Sequence, residues 1–157
     1  MTVVSRGIHS GRAMVLCLVG VGGSLLIVGI ESSTFLRHVF QIAPLAIVLA
    51  FAVRQQPWTA PAALGLFGCW AFFMGLIWLY LAGIQTTFTG NFTPFEIALT
   101  LIIGVSCVAG IIACKGVELT MGRWRRLLIS TAFVGLQVGI MWLSLFGHRI
   151  THALRLD

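Results

Sequence analysis

Apolar residues fall in five long blocks along the chain, at 13–30, 37–54, 58–83, 94–114 and 126–147, separated by short polar stretches. A helix needs roughly 17–25 apolar residues to cross a hydrocarbon core about 30 Å thick, and each block has that reach. The pattern predicts an all-α integral membrane protein, a single membrane domain over 1–157 built as a bundle of about five transmembrane helices. The connections are short, so consecutive helices are expected to be antiparallel neighbours. Trp58 with Trp78, and Trp124 with Trp142, bracket the third and fifth blocks, where indole rings favour the two headgroup layers.

The first block imitates a signal peptide, because Arg6 and Arg12 precede 18 apolar residues. It is longer than a usual signal core and no small-x-small cleavage site follows. It reads as a retained first helix.

Composition sharpens the class. The chain is 59% hydrophobic and 9% charged, against about 45–50% and about 25% in soluble domains. So few charges cannot cover a water-facing surface. The formal net charge of +6 does not point to nucleic acid, because the ten Lys and Arg residues lie mostly between blocks. There they set topology and meet anionic lipids. Five crossings put Arg6, Arg12, Arg54, Lys115, Arg123, Arg125 and Arg126 on one side and Arg37, Arg149 and Arg155 on the other. That bias predicts a cytoplasmic N-terminus and an outer C-terminus in a multi-pass protein of a bacterial-type cytoplasmic membrane.

Apolar helices in lipid are held together by close packing of small residues and by hydrogen bonds, and such residues are striped here. In the third block Gly68, Gly75 and Ala82 recur every seven residues, beside Gly65; in the fourth, Glu96, Thr100, Cys107, Gly110 and Cys114 share a face. In the fifth, Ser130, Gln137, Ser144 and His148 fall within about 40° of one another at 100° per residue. Gly135 and Gly139 lie on the opposite side. A helix striped on both sides is expected to be central in the bundle or part of an oligomer contact. Cys17, Cys69, Cys107 and Cys114 form no C-x-x-C pair and read as small packing residues.

Two groups of residues carry candidate chemistry. Thr93-Pro94-Phe95-Glu96 has the form of a helix start, with Thr93 as N-cap, Glu96 completing a capping box and Pro94 in the first helical position. The predicted topology also gathers Glu31, Arg37, His38, Glu96, His148, Arg149 and His152 at the outer level. His148 and His152, one turn apart, are candidate metal ligands with Glu96 or Glu31. His38 and His148 are candidate axial ligands of a b-type haem. In the inner loop, Gly116 is placed to end the fourth helix in a left-handed cap. Arg123, Arg125 and Arg126 are placed to reach headgroups.

There is no Walker loop, H-E-x-x-H, G-x-S-x-G or zinc-spaced cysteine set, and no charge falls near a block centre. The leading expectation is a non-catalytic membrane subunit or assembly protein working through helix–helix contacts, with a membrane-protein partner or in a homo-oligomer. The alternatives are a redox or ligand-binding protein using haem, metal or quinone at the outer cluster, and an oligomeric transporter or channel lined by Ser130, Gln137, Ser144 and Thr100.

Overall fold

The structure, a computed structural model, describes residues 2–84, 92–117 and 121–153, with side chains described between 9 and 144. The described residues form five helices: α1 (Thr2–Glu31), α2 (Phe35–Val53), α3 (Thr59–Leu81), α4 (Pro94–Gly116) and α5 (Arg123–Ala153). There is no strand among the described residues. Each helix is long and apolar enough to cross a bilayer. The apolar blocks mark their positions, but α1 and α5 run well past them because the helical ladder continues through the charged ends.

Local chemistry explains several of the ends. α4 starts on the expected cap: Thr93 Oγ1 accepts from the Glu96 amide at 3.2 Å, and Glu96 Oε2 accepts from the Thr93 amide at 2.8 Å. Pro61 sits in the first turn of α3, where a main-chain N–H has no intrahelical acceptor to lose. α1, α2 and α3 each end with a left-handed residue: Ser33 (φ 54°), Gln55 (φ 53°) and Gly83 (φ 73°). After each, the next amide reaches back five residues, from Thr34 to Gly29, Gln56 to Phe51 and Ile84 to Leu79. This is the Schellman closure, which satisfies carbonyls that the helix end would leave unpaired. Gly116 does not form the left-handed cap expected of it. It is the last residue of α4, the chain leaves through an extended Val117 (φ −79°, ψ 127°), and Ser10 of α1 fills the space where its side chain would stand.

Around the bundle the order is α1, α4, α3, α5, α2, and α3 also reaches inward to touch all four other helices. α3 accordingly supplies the centre of the core with Ala62, Ala63, Leu66, Phe67, Trp70 and Met74. α1 contributes Met14, Leu18, Val21 and Leu25 along one side, and α4 contributes Ile103, Cys107 and Cys114. The expectation that consecutive helices are neighbours fails at one place: α4 and α5 do not touch. The small-residue faces of α4 are already occupied. Phe67 and Trp78 of α3 lie against Gly110 and Gly104, while Gly20 of α1 lies against Ser106. α3 therefore separates α4 from α5.

α5 is peripheral, not central. Only 6% of its apolar stretch is buried, against 28–44% for the other four helices. Among the described residues it packs on α3 and α2 alone.

Candidate functional site

The polar side of α5 faces inward. Gln137 is completely buried and donates Nε2 to the main-chain oxygen of Gln41 on α2 at 3.0 Å. Gln41, itself buried, donates Nε2 to Ser144 Oγ at 3.0 Å, and the Ser144 hydroxyl donates to the Met141 carbonyl at 2.8 Å. Pro44 stands in the same turn of α2 as Gln41. Its missing N–H is the one that would bond the Phe40 carbonyl, one residue before the Gln41 carbonyl that accepts from Gln137. Ser130 completes the side: its main chain and hydroxyl fill the space beside Gly65 of α3.

One polar atom at each of two core positions has no partner in the structure, Gln137 Oε1 and Trp70 Nε1. The network is neutral throughout and joins α5 to α2 by two side-chain bonds. Its chemistry is that of positioning, with no group to move a proton or hold an ion. Thr100 does not share this path. It lies between α3 and α4, accepting from Trp78 Nε1 at 3.2 Å and donating to the Ile97 carbonyl at 2.8 Å.

The opposite side of α5 faces out. A β-carbon added at Gly135 or Gly139 would meet nothing within 4 Å. The same holds at Gly68 and Gly75, so the seven-residue stripe expected on α3 is not a packing face, and Gly65 is the α3 glycine that seats a neighbour. Among the described glycines, those that bring helices together are Gly20, Gly29, Gly65, Gly104, Gly110 and Gly116, where an added β-carbon would collide with a facing residue. Gly29 and Gly104 were not singled out by stripe. The signal was present only as an aromatic partner on another helix, His38 and Trp78, which sequence spacing does not connect.

The residues expected at the other end of the bundle are held by local structure. His38 Nδ1 bonds the Thr34 hydroxyl (3.1 Å) and carbonyl (3.2 Å), and its ring packs on Gly29. Ser32 Oγ donates to Val28 O at 2.7 Å and meets Thr34 Oγ1 at 2.6 Å. The imidazole thus belongs to a hydrogen-bonded turn joining α1 to α2, with Nε2 the nitrogen left for any further ligand. Glu96 spends one carboxylate oxygen on the α4 cap. His148 and His152 occupy the last turns of α5, and their side chains lie outside the described residues. No group of three or more His, Cys, Asp or Glu suited to a metal occurs among the described residues.

No protein-family model, curated protein or solved structure matches this chain.

Proposed function

We propose that the chain is an integral membrane protein that crosses the bilayer five times, and that it acts as a non-catalytic subunit assembling laterally through the outward face of α5. Its length and hydropathy support insertion. The gathering of Arg12, Arg54, Lys115, Arg123, Arg125 and Arg126 at one end of the bundle supports a cytoplasmic N-terminus.

One observation carries the assembly reading. Gly135 and Gly139 lie one turn apart on a helix whose opposite side is turned to α2 and α3, and they leave a flat, unfilled surface. Flat glycine surfaces let a second helix approach closely enough for dispersion and weak main-chain contacts to hold it in lipid.

The test uses the same geometry. Gly139→Leu has room on this chain, so the purified variant should keep its helix content and unfolding midpoint. It should also lose the partner, or the second copy, that the wild-type protein retains in mild detergent. A wild-type protein that is monomeric and partner-free there would overturn the proposal. So would a Soret band or stoichiometric metal in the purified protein, lost on His38→Ala or His148→Ala, because that would place the function at the outer cluster.

A further inference from the structure

α4 and α5 are joined by a short loop yet stand apart, and the gap between them is a cleft of about 500 Å³ at the basic end of the bundle. Its rim carries Lys115, Arg123 and Arg126, and no carboxylate lines it among the described residues. Below the rim the wall is apolar, made by Pro61 and Leu64 of α3 and Leu127 of α5. Leu64 and Leu127 are 36% and 57% exposed, so the cleft opens sideways, towards the lipid, as well as at its end.

Three features call for an anion at the rim. The first is charge: segment 115–126 holds four cations against one carboxylate, Glu118, which lies outside the described residues. The second is an unmet donor. Arg126 Nε is buried without a hydrogen-bond partner, and a buried guanidinium nitrogen left without an acceptor is costly. The third is field: of the three helices that line the cleft, α3 and α5 begin here and α4 alone ends here, with Lys115 in its last turn, so positive helix ends outnumber the negative one. The wall beneath calls for something apolar attached to that anion.

We infer that this cleft is a binding site for one anionic phospholipid, with the phosphate at Lys115, Arg123 and Arg126 and an acyl chain along Leu64 and Leu127. A guanidinium matches phosphate oxygens in a fixed fork, and an ammonium adds a point charge. A basic pocket between transmembrane helices on the cytoplasmic side suits such a headgroup. Arg125, adjacent in sequence, does not line the cleft, so the site distinguishes two neighbouring arginines that bulk electrostatics treats alike. The inference rests on the chain being a membrane protein, not on its assembly through α5.

The experiment is native mass spectrometry of the full-length protein in detergent, titrated with phosphatidylglycerol or with phosphatidylcholine of the same chains. The expected result is one retained phosphatidylglycerol, preferred over phosphatidylcholine by about tenfold or more, with each cation near the phosphate contributing roughly fivefold. Arg126→Gln and Lys115→Gln should each weaken retention by about that factor, and Arg125→Gln should not. Leu64→Trp, which fills the wall and removes no charge, should weaken it too. Equal effects of Arg125→Gln and Arg126→Gln, or equal retention of the two lipids, would overturn the site. Displacement of the lipid by millimolar inorganic phosphate would assign the cleft to a free anion instead. Alkaline carbonate washing of membranes separates the two failures: protein that stays in the membrane pellet but shows no lipid preference sinks this inference alone.

Discussion

Gln137 of α5 and the main-chain oxygen of Gln41 on α2 meet at 3.0 Å across a buried interface, and the Gln137 carbonyl oxygen beside that bond has no donor. The pairing sets which side of α5 is inside. It also makes Gln137 a residue whose loss and whose charging have different consequences.

Gln137→Leu removes one interhelical bond and also removes an unmet buried acceptor. Such bonds average about 0.6 kcal/mol in membrane helices, so the unfolding midpoint in detergent should barely move. Gln137→Glu sets a carboxylate against the Gln41 carbonyl, acceptor facing acceptor. It should cost on the order of 2.5–3.5 kcal/mol and lower the midpoint clearly in the same assay.

Glycines divide into two kinds by what stands in front of them. Gly104→Ala and Gly110→Ala push on the Trp78 and Phe67 rings, and overpacking of this kind costs about 1–3 kcal/mol. Gly135→Ala meets nothing within 4 Å and replaces a poor helix former, so stability should rise by up to about 1 kcal/mol. Thermal unfolding of the three variants, measured on protein stripped of any partner, checks the ordering.

Ser33 and Gln55 hold left-handed conformations at φ 54° and 53° with a side chain attached. That geometry costs about 1–2 kcal/mol per residue, while glycine carries an entropic penalty of roughly 0.5–1 kcal/mol. Ser33→Gly and Gln55→Gly should each stabilise the protein by about 0.5–1 kcal/mol on balance. A fall in unfolding temperature in both would show that the turns are not closed in this way.

The α4 cap gives a fourth measurement. Thr93→Ala removes the acceptor for the Glu96 amide and should cost about 1 kcal/mol. Thr93→Ser should restore most of it, because the hydroxyl is the group that matters. Faster hydrogen exchange confined to the first turn of α4 would accompany the alanine variant.

Five helices, their approximate places and the capping box at Thr93 and Glu96 were legible in the sequence, because each depends on residues within a turn or on a continuous apolar length. The sequence also singled out Ser130, Gln137 and Ser144 as one side of α5 and Gly135 with Gly139 as the other. It did not reveal that Gln41 is the partner, although a glutamine beside Pro44 in an apolar block needs one. Nor did it separate Gly65, which seats Ser130, from Gly68 and Gly75, which seat nothing.

What the chain alone determined is local: where helices begin, how long they run, and which residues share a face. The order of the helices, the separation of α4 from α5 and the cleft it leaves were decided by packing. The physical reason is that these helices are apolar on nearly every side, so hydrophobicity does not say which side turns inward. That choice falls to shape, to the glycine that accepts a ring and the glutamine that finds a carbonyl, and both are relations between residues distant in sequence.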